Sequence, residues 1–418
     1  MTDKKTPGNT GGFSRRELLK GVMAGVVTIP VSGAAAVAGV SAQDDVVNLS
    51  VKYDFYGKGG QQGIETPPQR YAMFMAFDLT TTDAGVLQVL LARWSSAIAQ
   101  LMQGKAIGRV EPTRESSTGV DTGEALELEP AALTVTVGLG PRIFSDELGL
   151  SRHRPALLRE LIKFPGDNLD PKLTGGDLSL QACADDPQVV FHAIRNLTRI
   201  ARMTGAAKTR WTVSGFGRAS AGKGQSTPRN LFGFKDGTRN VAGKDDFNRY
   251  VWINDDGPLW QQQGCYQVVR KIKMRIETWD ADRISDQNEI FGRHKSTGAP
   301  LTGTHEFDTP DFGKKDEEGK TVIPINSHIS LVAHENNQGV KILRRPYNYN
   351  DGLDNYAVLD SGLLFISYQK DPAQFETLQS RLGASDALNE YISHTGSGIF
   401  FVPPAPREGS YVGEGMFT

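Results

Sequence analysis

Apolar positions along the chain fall into two rounds of one pattern. In the first, Tyr71–Asp78 reads as a strand, and Asp83 stands where it can cap a helix. The apolar residues of that helix, Leu87, Leu90, Leu91, Trp94, Ile98, Leu101 and Met102, keep helical spacing. Leu133–Val137 alternates as a strand does, Leu178–Cys183 predicts another strand, Pro187–Met203 a helix and Trp211–Gly217 a closing strand. The second round gives a strand at Tyr266–Thr278, a weaker helix near Ala281–Ile290, and strands at His328–Ala333 and Leu363–Tyr368. A helix at Pro372–Leu382 and a last strand at Gly398–Val402 complete it.

The two rounds share local detail. Asp177-Leu178-Ser179-Leu180 runs into Asp186-Pro187, and 185 positions further on Gly362-Leu363-Leu364-Phe365 runs into Asp371-Pro372. Each aspartate is an N-cap, and each proline takes the first helical position, where its missing N–H costs nothing. The order β-α-β-β-α-β, twice, predicts an α+β chain with a duplicated ferredoxin-like fold. Its halves are expected at residues 43–240 and 241–418, as two antiparallel sheets with the site between them. The connections Gly215–Asn230 and Arg293–Lys320 are polar and glycine-rich, a length and composition that mark functional or disordered loops.

Residues 1–42 do not fit the pattern. Ser14-Arg15-Arg16-Glu17-Leu18-Leu19-Lys20 precedes an uncharged, weakly apolar stretch from Gly21 to Val40, and Val40-Ser41-Ala42 offers a small-residue cleavage site before Gln43. The paired arginines and soft apolar core look like a twin-arginine export signal; an uncleaved anchor helix is the alternative. Export through the twin-arginine machinery to the periplasm or the exterior is therefore expected.

Charge narrows the partners. Across 418 residues, 46 basic side chains face 48 acidic ones, a net of −2; without the leader, itself +3, the chain carries −5. No basic field exists for nucleic acid. Two cysteines, Cys183 and Cys265, cannot build a disulfide scaffold or a four-thiolate zinc site, and both fall in strand-like segments that predict buried thiols.

Chemistry concentrates in Asn230-Leu231-Phe232-Gly233-Phe234-Lys235-Asp236-Gly237-Thr238-Arg239-Asn240. As a bare pattern this is a turn with solvated charges. Its place between the two halves, however, would turn Asp236 toward a groove. Of the seven histidines, His153 lies in a surface run, His192 on an amphipathic helix and His394 in a turn, while His294 and His305 fall in a polar loop. His328 shares a strand face with Ser330 and Val332, and His334 follows. A strand histidine is more often packed than ligating. Zincin spacing, a nucleophile elbow and phosphate-cradling loops are all missing.

Four motifs in order change this picture. Gly233-Phe234-Lys235-Asp236-Gly237-Thr238, then Gly292-Arg293-His294-Lys295 with Gly298-Ala299-Pro300-Leu301, then Ser327-His328-Ile329, then Ile342-Leu343-Arg344-Arg345 together resemble the dye-decolourising peroxidases. With the leader and Gly63-Ile64-Glu65-Thr66-Pro67, the chain is most similar to the exported deferrochelatase/peroxidase branch tied to bacterial ferrous-iron uptake. The resemblance implies one haem b per chain between the two sheets and reduction of hydrogen peroxide through a ferryl intermediate. It also implies an organic or metal electron donor, partners in iron uptake and a second copy of the chain.

Residue by residue, the resemblance makes His328 the iron ligand, Asp236 the distal acid–base group and Arg344 the distal arginine, with Arg345 as the alternative one register away. Gly237, Thr238 and Arg239 match a haem-contacting stretch, as do Ala333, His334 and Glu335, and Glu390 matches the acid that bonds the proximal imidazole. Two other functions are implied or open. One is release of iron from haem with the tetrapyrrole intact. The other is a non-enzymatic haem or iron carrier, which would need His328 but has no use for Asp236 with Arg344.

Overall fold

The computed structural model describes residues 47–217, 227–254 and 257–418; the leader at 1–42 lies outside them. The first round of elements is β1 (Tyr71–Leu79), α1 (Ala84–Leu101), β2 (Thr134–Leu139), β3 (Leu178–Ala184), α2 (Pro187–Met203) and β4 (Ala207–Phe216). After α3 (Gly243–Tyr250) come β5 (Cys265–Met274), α4 (Ile276–Trp279), α5 (Ile284–Phe291) and α6 (His328–Val332). The chain ends with β6 (Leu343–Arg344), β7 (Tyr347–Leu353), β8 (Leu359–Gln369), α7 (Pro372–Ser385) and β9 (Ile392–Val402).

Local chemistry sets the helices. Asp83 accepts the Gly85 amide at 2.7 Å, Asp186 accepts those of Gln188 and Val189, and Asp371 forms a full capping box with Gln374. The apolar stripe of α1 then buries Leu87, Leu90, Leu91, Trp94 and Ile98 against β1 and α2. Trp94 also donates its indole N–H to the Leu197 carbonyl at 2.8 Å. Each such side chain, moved from water into a core, contributes about 1.5–3 kcal/mol.

Two separate sheets were expected; one closed sheet is found. The strands pair antiparallel in the order β5-β9-β2-β3-β1-β4-β7-β8-β6, and β8 also pairs back onto β5 over Tyr266–Lys273. Alternation along the strands turns Phe74, Cys183, Trp211, Val269, Leu364, Ile366, Tyr368 and Phe400 inward, where they fill the barrel. Both cysteines are buried and unpaired, as their strand setting predicted. Among the described residues the inward side chains pack together in the barrel interior. Phe77, Leu178 and Leu180 on the outer face of the first half pack under α1 and α2. The outer face of β5, β8 and β9 is left for α7 and the loops to cover.

β4 and β9 begin earlier than expected, at Ala207 and Ile392, and two segments differ in kind. The strand from Tyr266 stops at Met274, and Ile276–Trp279 turns helical. His328–Ala333, expected as a strand, is the single helical turn α6, with the Leu331 amide bonded to the Ser327 carbonyl at 3.2 Å and that of Ala333 to Ile329 at 3.0 Å. Six residues of mixed polarity fit both periods. Tertiary context chose the helix, which sends His328, Ile329 and Val332 to one side and buries Ser330 and Leu331 on the other.

Candidate active site

A cavity open to solvent lies on that remaining outer face. Met274 of β5, Phe365 of β8, Ile392 of β9 and the Phe375, Leu378 and Leu382 stripe of α7 form its apolar walls. The cavity's lining residues fall between Asn230 and His394: the stretch from Asn230 to Arg239 comes from the end of the first half, and the rest from the second.

On one wall stands His328. Its Nδ1 lies 2.7 Å from an oxygen of Asp386, whose side chain is 1% exposed, while nothing among the described residues bonds its Nε2. Burial works against a charged imidazole. The Asp386 carboxylate, and more weakly Asp236, outweigh it and hold the His328 pKa above its ordinary value. The carboxylate on the imidazole was expected to be Glu390. That residue is exposed at the end of the turn Ala387–Glu390, which Asp386 caps by accepting the Leu388 amide at 2.9 Å. Asp386 thus fixes both its turn and the imidazole.

Facing the cavity from other elements are Asp236 and Arg344. Arg344 Nη1 donates to Asp236 Oδ1 at 2.9 Å and Nη2 to the Thr238 carbonyl at 3.1 Å. Asn240 pins the arginine's backbone in both directions, its amide nitrogen donating to the Arg344 carbonyl at 2.7 Å and its oxygen accepting the Arg344 N–H at 2.9 Å. Arg345 points the opposite way, as the next residue of an extended segment must. It is buried, and donates to the Thr66 and Pro67 carbonyls and to Gln69. Of the two arginines, Arg344 reaches the cavity.

The loop carrying Asp236 is held by aromatic packing. Asn230 accepts the Phe232 and Phe234 amides at 3.1 and 3.2 Å, folding the turn. Phe234 stacks on Phe291 with ring centres 3.9 Å apart, Phe232 lies 4.6 Å from Trp279, and Phe291 reaches the His328 ring at 5.9 Å. One aromatic cluster therefore ties the Asp236 loop to α6. Gly292, between them, has φ +76°, and a Cβ there would stand 2.7 Å from Ile329 Cγ1, so glycine is required.

The remaining expected residues divide. Gly237, Thr238, Arg239, Ala333 and His334 line the cavity. Glu335 does not; it pairs with Arg239 and lies 3.2 Å from His334 Nδ1. His394, expected in a turn, sits within β9, lines the cavity and meets Gln379 at 3.3 Å. Burial, then the nearby Arg270, pulls its pKa down to about 3 and keeps it neutral. Buried Arg293, which the motif held without a role, donates to the Gly298 and Glu306 carbonyls at 2.6 and 2.9 Å, and burial with Arg239 and Arg344 nearby draws its pKa down to about 10.

A haem fits these groups. The donor set offers one imidazole whose far nitrogen is anchored by a carboxylate, the arrangement that fixes tautomer and basicity in a metal ligand. Apolar walls suit the macrocycle, and Arg239, Lys341 and His334 among the lining residues suit its carboxylates.

Comparison with known proteins points the same way. The family model for the Dyp-type peroxidase N-terminal part matches residues 61–217, and that for the C-terminal part matches 227–407, which holds every residue lining the cavity. The chain is 40% identical over 370 residues to a deferrochelatase of Yersinia pestis, covering 86% of this chain and 83% of the relative. It is 37% identical over 417 residues to a deferrochelatase of Escherichia coli O157:H7, covering 96% of each. Among solved structures it is similar to a DyP-type peroxidase from Streptomyces coelicolor, with TM-score 0.82 and 39% identity over 88% of this chain and 98% of that one. Ferric DtpA from Streptomyces lividans gives 0.80 and 39% over 88% and 97%.

Proposed function

Because the chain belongs to the Dyp-type peroxidase family, a family of haem-dependent enzymes, we propose that it reduces hydrogen peroxide with His328 as the iron ligand and Asp236 and Arg344 as the distal pair. The observation that carries this reading is the placement of two bonded pairs, His328–Asp386 and Asp236–Arg344, on one cavity. Haem, when bound, supplies two-electron oxidation by peroxide followed by one-electron return from a donor. The chain supplies the rest. With Oδ1 held by Arg344, Asp236 has Oδ2 to take the proton from one peroxide oxygen and deliver it to the other. The Arg344 guanidinium keeps a fixed positive charge where negative charge develops as the O–O bond breaks. Asp386 keeps the imidazole oriented with Nε2 toward the cavity.

The two β-α-β-β-α-β rounds, ordered β2-β3-β1-β4 and β9-β5-β8-β7, support a duplicated ferredoxin-like unit whose copies share one barrel. Halves at 43–240 and 241–418 accommodate this, and pairing with a second copy belongs to the same proposal. A second activity, release of iron from haem in bacterial iron uptake, is favoured by the name shared by the relatives at 37–40% identity. The decisive measurement is an absorption spectrum of purified protein before and after one equivalent of peroxide. A Soret band that changes with peroxide and returns on adding a one-electron donor is expected; a protein with no Soret band, or one indifferent to peroxide, overturns the peroxidase reading.

Export belongs to the same proposal. The paired Arg15 and Arg16 and the Val40-Ser41-Ala42 site support passage through the twin-arginine machinery to the periplasm or exterior. Replacing both arginines by lysine should hold the precursor in the cytoplasm, and the exported wild type should begin at or next to Gln43. Normal export of the double-lysine chain would count against that pathway.

A further inference from the structure

The long connection after α5 brings a carboxylate to the Asp236 loop from outside it. Glu306 Oε1 accepts the Thr227 hydroxyl and, at 2.8 Å, the Thr238 hydroxyl, while Oε2 takes the Lys235 ammonium. Its side chain is 9% exposed. Three donors flanking Asp236 on both sides thus converge on one acceptor. Glu306 is itself fixed: buried Arg293 donates to its carbonyl at 2.9 Å, and Asp308 folds the preceding turn by accepting the Thr304 and His305 amides at 2.7 and 2.9 Å. Burial opposes charge on Glu306, but Lys235, Thr227 and Thr238 outweigh it and hold its pKa below the ordinary value.

Charge gives the contact a second consequence. Asp236 is bonded to Arg344 of β6, and Lys235 and Arg239 of its own loop, Arg293 of the following connection and His328 of α6 line the same cavity. Lys235 carries its ammonium on a four-carbon stem and is the cation next to Asp236 in the chain. Glu306 pairs with that ammonium. We propose that Glu306 is the positioning residue of the acid–base loop, fixing Asp236 in place and keeping Lys235 off its carboxylate. This rests on the reading of Asp236 as the acid–base group.

The test uses the haem-loaded full chain. The variants Glu306→Gln, Glu306→Gln with Lys235→Gln, and Asp236→Asn are compared by stopped-flow reaction with peroxide. Infrared titration of the Asp236 carboxyl, identified as the band lost in Asp236→Asn, is run alongside. Glu306→Gln should slow the peroxide step roughly tenfold to a hundredfold, the scale of a misplaced catalytic group. It should also move the Asp236 titration to lower pH, because freed Lys235 favours the carboxylate. Adding Lys235→Gln should return the titration while the rate stays low. A wild-type rate and titration in Glu306→Gln, beside a slow Asp236→Asn, overturns the positioning role alone; a wild-type rate in Asp236→Asn overturns both. If Glu306→Gln does not fold, Thr227→Val removes one tie and leaves the charge pair. It should react several-fold more slowly with an unmoved titration, and a wild-type rate there overturns the proposal.

Discussion

His328→Ala should purify without axially ligated haem, its Soret absorbance per chain largely lost. The imidazole is the one side chain on α6 able to coordinate iron, and the surrounding apolar wall offers no replacement. The other histidines lining the cavity are engaged elsewhere. His334 Nδ1 lies 3.2 Å from Glu335, and His394 sits in β9 against Gln379. The Asp386 carboxylate grades the effect. Asp386→Asn leaves an amide beside Nδ1 in place of the charge and should weaken haem retention about 10–100-fold, the scale seen when a metal ligand loses its hydrogen-bond partner. Glu390→Gln, four positions on and exposed, should retain haem as the wild type does. Transfer of haem to an acceptor protein, followed optically, measures all three. A wild-type spectrum in His328→Ala would move the ligand to His334 or His394.

The helices and their strands were legible because their signals are local. Asp83, Asp186 and Asp371 each cap a helix from within three residues, and the α1 stripe needs no distant partner to be seen. Closure of the barrel was not legible. It depends on β2 meeting β9 at Leu139 and Phe401, and on β4 meeting β7 at Gly215 and Tyr349, pairs separated by far more chain than any periodicity spans. That closure also moved the site, from a gap between two sheets to the outer face of one. Asp236 and Arg344 were found through motif resemblance, and they prove to be bonded across 108 positions. Asp386 was missed for a similar reason of distance. It stands 58 positions from His328, and its visible signature, an aspartate capping Ala387–Glu390, reads as ordinary helix punctuation. Asn240 and Glu306 were within segments already singled out. Only the fold reveals that one amide pins Arg344 and one carboxylate gathers Thr227, Lys235 and Thr238.

Asp236→Asn should bind haem normally and react with peroxide about 10²–10⁴-fold more slowly, the range that a positioned proton-transfer group contributes. Asparagine keeps the shape, and its carbonyl oxygen can still accept from Arg344 Nη1, so the guanidinium stays beside Thr238 and Asn240. What disappears is the capacity to take a proton from one peroxide oxygen and give it to the other. The dependence on pH separates this from a loss of fit. A carboxylate base still works at pH 5, where an imidazole with its ordinary value near 6.5 is protonated and silent. Wild type should therefore hold its rate well into the acid range, while Asp236→Asn should be slow and nearly flat across it. Arg344→Leu should slow the step at every pH, because it removes fixed charge rather than a titrating group. Stopped-flow spectra of the three proteins across pH decide the assignment. Equal rates in wild type and Asp236→Asn would transfer the work to Arg344 and leave Asp236 as the residue that holds it.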